Sequence, residues 1–501
     1  MESHIAIEAF AGKRFTVMGL GVLGGGVGVV RYLATKGALV TVTDMRPEQD
    51  LKAQLNDLGG LPITFHLGSH QIDDFGSSRA DVVVRNPAVP YDSPYLLAAR
   101  DDGVRIDMEM SIFFRMCPSP ILAVTGTKGK TTVSGLLGKM MKAWRSDAFV
   151  AGNMGVSALL ELDRLRPDTP VVIELSSFQI EALIEHALGP HIAVITNISQ
   201  DHLDRYKDFE EYSSTKRGLT HAMDMDDVVV YNRDDVNVAR VVGETTARTL
   251  SFGLTEPKGD GAWLGDEQEL VLRTRGAERS WKRPAALALQ GDHGALNALA
   301  AIAAARAYGT PDDAIECGLR RFLGVENRLE QVAVVDQVRY VNDTSATAPA
   351  AAIASVRVLA PRARTLHLIA GGADKRTDLA PFADEIRAAN ARVYLLDGTV
   401  TDQLQELLAQ RSVTVAGRFQ GMADALELAA GSAAAGDIVA LCPGCASFGM
   451  FRNEFDRGNQ FRAAVRDLQR RVTLATASSA DSGARGNPGH DQEGMNDVRI
   501  R

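Results

Sequence analysis

The sequence lacks the features that mark secreted, membrane-spanning and nucleic-acid-binding proteins. It contains only four cysteines in 501 residues, too few for a disulfide framework, which favours a reducing compartment. The apolar run 15–30 is rich in glycine and shorter than the roughly 20 residues that a membrane-spanning helix needs. The first residues are acidic where a signal peptide is basic, and the net charge of −9 provides no basic surface for nucleic acid or an anionic membrane. We therefore expect a cytoplasmic protein with no nucleic-acid partner and no membrane insertion.

Length and composition indicate a large globular chain. Its residues are 45% hydrophobic and 23% charged, and the length suits about three domains. Short apolar segments that are typical of buried strands alternate with helical segments, which is the pattern of α/β folds. Pro118 and Pro120 mark a boundary, and apolar periodicity stops after Val472 in a stretch of Ser, Gly, Asp and Asn, which indicates a disordered tail.

A strand, a glycine turn and a helix start follow one another between Ile121 and Thr132. The turn indicates a phosphate-binding loop, because glycines let backbone N–H groups approach an anion and the helix start adds a positive dipole end. Lys130 suits the outer phosphates of ATP, and the Thr131 hydroxyl suits Mg²⁺. Two residues separate the turn glycines where the standard P-loop has four, so the loop is a shortened variant. The predicted ATP contacts in this segment are Gly126, Thr127, Lys128, Gly129, Lys130, Thr131 and Thr132.

A second glycine turn lies near the start of the chain. Gly19, Gly21 and Gly24 follow a predicted strand, and the next strand ends at Asp44, which fits the dinucleotide-binding fingerprint. By itself the turn suggests an NAD-dependent dehydrogenase. The same geometry can hold the diphosphate of a different nucleotide, so both alternatives stay open on spacing alone.

Polar residues follow two predicted strands of the central region. Glu174 ends an apolar strand, and an acid at that end of a strand beside a P-loop is suited to Mg²⁺. His202 lies between Asp201 and Asp204 on the loop after the next strand. Lys216 follows on a predicted helix, where most lysines belong to a solvated face.

These motifs resemble those of the Mur ligases and their folylpolyglutamate synthase relatives. The similarity extends to residue 470 and is strongest in the shortened P-loop, in Glu174-Leu-Ser-Ser-Phe-Gln, in Asp201-His-Leu-Asp and in the turns of the third predicted domain. The family activates a carboxylate with ATP as an acyl phosphate and then joins it to an amino acid. Folylpolyglutamate synthases lack the UDP-binding first domain, so the resemblance is to the branch with UDP-linked substrates.

The resemblance implies a substrate site in the first domain. The glycine turn, the acid-x-Arg pair after the second strand, the Asn-Pro loop and the later Gly-Asn-x-Gly loop match segments that bind UDP-N-acetylmuramoyl-L-alanine (UDP-MurNAc-L-Ala) in the family. The implied contacts are Gly21, Val22, Leu23, Asp44, Arg46, Asn86 and Asn153.

It also implies two Mg²⁺ sites and a modified lysine in the central domain. With one residue fewer in the intervening loop, Lys216 aligns with the carbamylated lysine of the family, and a different gap would place Arg217 there. The implied metal ligands are Thr131, Glu174, His202 and Lys216, and the implied catalytic residues are Lys130, Lys216, His202 and Arg328.

Further ATP contacts are implied by the later motifs. Asn297 matches a residue on the adenine side, Arg328 one near the γ-phosphate and Asp343 one near the ribose. Gly294 stands where the family has the first Asn of Gly-x-His-Asn-x-x-Asn, so one nucleotide contact is missing from the pattern.

The glutamate site is implied in the third domain by Thr347, Lys375 and Ser447. The sequence departs from the family there: Ser345 stands where better-known members have Lys, and Glu454 falls near an expected Phe. Either Phe455 fills that role after a one-residue shift, or the pocket is reshaped. The family favours D-glutamate, and L-glutamate remains the alternative.

We therefore predict a monomeric, ATP- and Mg²⁺-dependent acid–amino-acid ligase of peptidoglycan precursor synthesis, with UDP-MurNAc-L-Ala and glutamate as substrates. A dehydrogenase has no use for Lys130, Glu174 and His202, and a simple P-loop switch leaves the third domain without a role. The predicted α/β architecture has a Rossmann-like UDP-substrate domain at 1–117, a central P-loop ATPase-type domain at 118–325, a Rossmann-like glutamate domain at 326–472 and a disordered tail at 473–501.

Overall fold

The computed structural model describes residues 10–21, 25–152, 157–201, 205–284, 289–374 and 377–484, with side chains described as far as Leu474. The chain divides into two compact units, which separate in the sequence between Phe322 and Leu323. The described residues form three sheets, two in the first unit and one in the second. The predicted α/β fold class is confirmed, whereas the predicted domain limits at 117, 325 and 472 remain predictions.

The first sheet is parallel, with strand order β3-β2-β1-β4-β5. Its strands are β1 (Arg14–Met18), β2 (Leu39–Asp44), β3 (Ile63–Leu67), β4 (Val82–Arg85) and β5 (Arg105–Asp107), and its helices are α1 (Gly25–Thr35), α2 (Lys52–Asp57), α3 (Pro94–Asp101) and α4 (Glu109–Met116). The order reverses at β1, so the turn after β1 lies at the point where such sheets bind ligands.

The central sheet has the order β14-β13-β12-β11-β10-β9-β6-β8-β7. Its strands are β6 (Ile121–Thr125), β7 (Phe149–Ala151), β8 (Val171–Glu174), β9 (Ile192–Ile195), β10 (Val228–Asn232), β11 (Arg248–Phe252), β12 (Gly261–Leu264), β13 (Leu270–Thr274) and β14 (Ala277–Trp281). The strands are parallel from β7 to β12, and β13 and β14 add an antiparallel edge. The central position of β6 explains its uninterrupted apolar sequence, because a parallel strand is covered on both faces.

The helices of this part of the chain are α5 (Lys130–Trp144), α6 (Ser177–Glu185), α7 (Phe209–Gly218), α8 (Val236–Ala239), α9 (Gly291–Ala307) and α10 (Asp312–Arg321). Helix α6 starts with a capping box, in which Ser176 accepts from the Gln179 amide and Gln179 accepts from the Ser176 amide. This cap fixes the helix directly after Glu174. One apolar core extends from α1 and the first sheet into the central sheet.

The second unit has one sheet, with strand order β15-β16-β20-β17-β18-β19. Its strands are β15 (Glu330–Val335), β16 (Val338–Asn342), β17 (Leu366–Ala370), β18 (Arg392–Leu396), β19 (Val415–Phe419) and β20 (Ile438–Leu441), and its helices are α11 (Pro349–Leu359), α12 (Ala380–Ala388), α13 (Thr401–Gln410), α14 (Met422–Ser432) and α15 (Glu454–Ala484). Asp336 and Gln337 both have positive φ, as the two-residue turn of the β15–β16 hairpin requires.

Two findings concern the end of the chain and the membrane. Helix α15 continues to Ala484, so residues 473–484 have helical backbone where the sequence predicts a disordered tail, and the rest of that tail lies outside the described residues. None of the helices in the described ranges combines the length and apolar composition needed to cross a bilayer.

A close helix contact supports the P-loop helix and generates a stability prediction. A Cβ on Gly318 of α10 would lie 2.6 Å from the Cα atom of Met140 and 2.7 Å from its backbone nitrogen. Gly318→Ala should therefore destabilise the protein by about 1–3 kcal/mol through overpacking, although alanine ordinarily favours a helix over glycine. Gly431→Ala in α14 is the matched control, because its Cβ meets nothing within 4 Å. Chemical denaturation should show a loss for Gly318→Ala only, and equal stability of the two variants would contradict the contact.

Candidate active site

The loop between β6 and α5 leaves no room for a side chain at either of its glycines. Gly126 has a φ of 139° and Gly129 a φ of 86°, values that residues with a Cβ rarely adopt. A Cβ on Gly126 would lie 2.0 Å from Oγ1 of Thr196, and a Cβ on Gly129 would lie 2.4 Å from Oδ1 of Asn297. The loop backbone is thus held at the N-terminus of α5, where unpaired N–H groups favour an anion.

Lys130 and Thr131 bring an ammonium group and a hydroxyl group to this loop. The Lys130 ammonium donates to the carbonyl oxygens of Gly126 and Thr127, both at 3.0 Å. The Thr131 hydroxyl donates to Oε1 of Glu174 at 3.2 Å, and Glu174 is buried. A hydroxyl and a carboxylate suit Mg²⁺, which takes few protein ligands besides substrate phosphates and water. The role of this pair as metal ligands stays a prediction, and no group of three or more His, Cys, Asp and Glu positioned for a metal occurs within the described ranges.

Lys216 lies on α7, with only 2% of its surface exposed. Burial, followed by the positive charge of Lys130, lowers the pKa of its amine to about 7. Its Nζ atom lies 4.9 Å from the ring centroid of Tyr212, and the Tyr212 hydroxyl lies 3.0 Å from Oγ1 of Thr127. Lys216 is therefore a buried amine beside the nucleotide loop, rather than part of a solvated basic face.

Arg217, the alternative to Lys216 in the alignment, is engaged elsewhere. Its Nε donates to Glu244 at 2.7 Å, and its Nη2 donates to Glu210 at 3.0 Å. These two carboxylates engage the Arg217 guanidinium in ion pairs. The alignment of Lys216 with the modified lysine of the family stays a prediction.

A cavity of about 720 Å³ adjoins the nucleotide loop. Asn297 and His293 of α9 line it together with Lys128 and Gly129. The adenine contact of Asn297 stays a prediction. Gly294 has a physical reason to depart from the family pattern, because its Cβ would lie 2.2 Å from the carbonyl carbon of Leu289. A larger residue there would displace the backbone that enters α9.

The cavity also has walls that the sequence analysis did not assign. Asn232 ends β10, Phe252 ends β11, and Asp234, Asp235 and Val236 follow β10. Asn232 donates to the Thr196 carbonyl at 2.9 Å, which ties this wall to the strand beside the P-loop. A sequence pattern could have identified this wall: a polar run follows the apolar segment 228–231, and the same pattern identified Glu174.

In the first sheet, the carboxyl ends of β1, β2 and β4 bring four predicted substrate residues together. Asp44 accepts from the Leu20 amide at 3.0 Å and from the Arg46 guanidinium at 2.8 Å. Burial would raise the pKa of Asp44, but hydrogen bonds from Arg46 and Leu20 hold that pKa below its usual value. Arg46 also donates to the Gly21 carbonyl at 3.3 Å. The acid therefore fixes the arginine and the glycine turn as one unit.

Asn86 completes this group. A Cβ on Gly21 would lie 2.9 Å from Nδ2 of Asn86, so the loop after β4 packs directly on the glycine turn. Several predicted site residues lie outside the described residues, namely Val22, Leu23, Asn153, His202 and Lys375.

In the second unit, Arg328 is an exposed residue in a strained turn. Its neighbours Asn327 and Leu329 have φ values of 67° and 41°, which side chains with a Cβ rarely adopt. Asp343 supports the turn, because its Oδ1 accepts from the Leu329 amide at 3.0 Å. Its other oxygen accepts from the Ser355 hydroxyl, and burial raises the pKa of Asp343 to about 6. The carboxylate predicted to face ribose is thus buried beneath the turn that carries Arg328.

Thr347 and Ser447 lie on two neighbouring loops. The Gly444 amide donates to the Ala346 carbonyl at 2.9 Å, and the buried Arg457 donates to the carbonyls of Thr344 at 3.0 Å and Cys445 at 3.2 Å. Arg457 therefore holds the two loops together. Cys442 and Cys445 are buried on the loop after β20.

Comparison with known proteins gives the same family for three successive segments of the chain. Family models match the Mur ligase MurD-like N-terminal domain at residues 13–107, the Mur ligase middle domain at 124–305 and the Mur ligase glutamate ligase domain at 327–445. The UDP-N-acetylmuramoylalanine–D-glutamate ligase of Roseiflexus sp. is 48% identical over 91% of this chain and 98% of that protein. The protein described in the same way from Symbiobacterium thermophilum is 34% identical over 91% of this chain and 98% of its own length.

A solved structure supports the fold. The UDP-N-acetylmuramate–alanine ligase of Thermotoga maritima matches with a TM-score of 0.57 and 20% identity, and the match covers 91% of this chain and 99% of that one. Similarity at this identity concerns the fold, while the domain matches and the identities of 48% and 34% establish the family. The chain belongs to the Mur ligase family, whose members are ATP-dependent ligases.

Proposed function

We propose that this chain joins D-glutamate to UDP-MurNAc-L-Ala through an acyl phosphate formed with ATP. The observation that carries the proposal is the contact between Thr131 and Glu174 at the Gly126–Lys130 cradle, in a chain of this family. The contact supports ATP chemistry with magnesium. It gives no reason to expect hydride transfer, so the dehydrogenase alternative loses its support.

The reaction has two steps. A carboxylate oxygen of the alanyl group attacks the γ-phosphorus of ATP, the bond to the β-phosphate oxygen breaks, and ADP leaves. The neutral amine nitrogen of glutamate then attacks the acyl carbon, the C–O bond to phosphate breaks, and the nitrogen releases a proton as the amide and inorganic phosphate form. Lys130 at the outer phosphates offsets the negative charge that gathers there in the first step.

The metal ligands fall into two proposed groups. Thr131 and Glu174 would hold one Mg²⁺ with the ATP phosphates, and a carbamate on Lys216 with His202 would hold a second. Magnesium supplies positive charge that polarises the phosphoryl oxygens.

The carbamate itself has a physical basis at Lys216. A neutral amine attacks CO₂, the N–C bond forms and a proton is released. With a pKa of about 7, roughly half of the amine is neutral at pH 7. The product is an anion, so repulsion between Lys216 and Lys130 becomes attraction.

The remaining assignments rest on the family motifs. We propose that Asn297 contacts adenine, that Arg328 acts at the γ-phosphate with Asp343 as its support, and that Thr347, Lys375 and Ser447 bind glutamate. Gly21, Asp44, Arg46 and Asn86 would hold the uridine diphosphate. We further propose a monomeric protein in the cytoplasm.

The first prediction of this mechanism concerns Lys130. Lys130→Ala should lower the rate of phosphate release with UDP-MurNAc-L-Ala and D-glutamate by roughly 10²–10³-fold or more, because a fixed charge at the transferred group is lost. Lys139→Ala, on the exposed side of the same helix, is the matched control and should keep the wild-type rate. A well-folded Lys130→Ala protein with a normal rate would overturn the assignment.

The second prediction concerns the carbamate. Lys216→Ala should abolish ligation, and small carboxylates such as acetate should partly restore it by supplying the missing oxygens. Wild-type protein exchanged into ¹³C-bicarbonate should show a carbamate carbonyl signal by NMR that the variant lacks. If bicarbonate depletion and the substitution both leave turnover unchanged, the carbamate plays no part.

The third prediction concerns the enantiomer of glutamate. Ser345 and Glu454 depart from the family pattern, and the Glu454 carbonyl accepts from the Thr344 hydroxyl at 2.9 Å, which places this position beside the loop of Ser345. Equal concentrations of D- and L-glutamate should yield mainly the D-glutamyl product. Product formed mainly from L-glutamate would refute the choice, and Ser345→Lys with Glu454→Phe would then be the variants to test for reversal.

A further inference from the structure

A charged cluster in the first unit joins the two sheets and is centred on Glu181. Oε2 of Glu181 accepts from Arg85 Nη2 at 3.0 Å and from Arg205 Nη2 at 3.4 Å, and its Oε1 accepts from the Tyr206 hydroxyl at 2.9 Å. Arg205 also lies over the Phe178 ring, with 4.5 Å from its guanidinium carbon to the ring centroid. One carboxylate thus receives three donors, two of them cationic.

The two arginines also hold the loop that carries Asn86. Arg85 ends β4 and donates to the Val89 carbonyl at 3.0 Å. Arg205 donates to the Pro87 carbonyl at 3.0 Å and to the Val89 carbonyl at 3.3 Å. Two guanidinium groups therefore hold the loop 86–90, and its first residue packs on the glycine turn after β1.

Glu181 connects the loop 86–90 to Glu174, the carboxylate that is proposed to bind Mg²⁺. It lies on α6, whose capping box begins two residues after Glu174. A capped helix is a rigid spacer, so the position of Glu181 is fixed relative to Glu174. The loop 86–90 and the phosphate site are thereby both connected to the short segment from Glu174 to Glu181.

The burial of charged side chains in this cluster indicates a role beyond holding the two sheets together. The Arg85 side chain is 1% exposed, and those of Arg205 and Glu181 are 16% and 17% exposed. Removing charges from water is unfavourable, and apolar contacts would join two sheets at lower cost. Two arginines add a defined geometry for the carbonyl groups that they bind, because each guanidinium donates its hydrogen bonds in fixed directions.

We infer that Glu181 is a positioning residue that orients the loop 86–90 for the UDP-linked substrate relative to the phosphate site. The inference rests on the proposed function, because that function makes the loop a substrate contact. A misplaced loop weakens binding of the UDP-linked substrate and takes its carboxylate out of line with the γ-phosphate. The P-loop contacts with ATP stay intact.

The test compares Glu181→Gln with wild type in steady-state phosphate release. We expect kcat/KM for UDP-MurNAc-L-Ala to fall at least tenfold, with a higher KM for this substrate and a KM for ATP within twofold of wild type. Calorimetric titration with UDP-MurNAc-L-Ala in the absence of ATP should show the same loss of affinity. Tyr206→Phe removes one donor and no charge, so it should shift the same parameters in the same direction by a smaller factor.

Glu185→Gln is the matched control. Glu185 lies one turn later on α6 and contacts residues that follow that loop, with 3.4 Å to the Tyr91 hydroxyl and 3.7 Å to Arg100 of α3. Among the described contacts it makes no hydrogen bond to the loop 86–90. It should keep both KM values within twofold of wild type.

The outcomes separate the inference from the function on which it rests. If Glu181→Gln and Tyr206→Phe leave the KM for UDP-MurNAc-L-Ala unchanged, or only lower the thermal midpoint and kcat, the cluster is structural and the inference is wrong. If Glu181→Gln does not fold, Tyr206→Phe alone decides. Wild-type protein that neither binds UDP-MurNAc-L-Ala nor releases phosphate with it would instead refute the proposed function.

Discussion

The first unit depends on the absence of a Cβ atom at Gly126 and at Gly129, in the loop between β6 and α5. Thr196 at the end of β9 and Asn297 on α9 occupy the space that Cβ atoms at Gly126 and Gly129 would need. Because β9 is the neighbour of β6 in the sheet, the strand order itself determines the walls of the phosphate cradle. The nucleotide cavity, the Glu174 carboxylate and Lys216 all adjoin this one loop, so their positions follow from it.

A second positive charge beside the loop between β6 and α5 is unfavourable until anions bind there. Burial and the nearby Lys130 hold the pKa of Lys216 at about 7, which means that a second full positive charge is poorly tolerated there. Phosphate groups and a carbamate both replace repulsion with attraction. Anion binding therefore stabilises this site more than it would stabilise a pair of exposed lysines, because water screens exposed charges.

The sequence predicted the parts of the site that are local and failed where distant segments meet. Gly-Lys-Thr-Thr after an apolar strand and Glu174 at a strand end are visible in short windows, and both lie where expected. The close approach of Leu289 to Gly294 and the meeting of Arg85, Glu181 and Arg205 depend on tertiary packing that no spacing reveals. The antiparallel β13–β14 hairpin in the charged stretch 256–283 was recoverable, because Arg275 and Gly276 are turn residues with positive φ between two strand-like segments.

Asp343 shows why a residue aligned with a ligand contact can act indirectly. The residues directly before and after Arg328 adopt left-handed backbone conformations, which store strain. The Asp343 carboxylate accepts from the Leu329 amide and so stabilises these conformations. Because burial raises its pKa to about 6, the folded state binds more protons than the unfolded state between pH 4 and 6, and stability falls as the pH rises through that range. The protein thus retains a buried acid at a cost in stability, and what it gains is a stabilised backbone turn at Arg328. Both carboxylate oxygens of Asp343 accept hydrogen bonds within the second unit, so this acid supports the turn that carries Arg328.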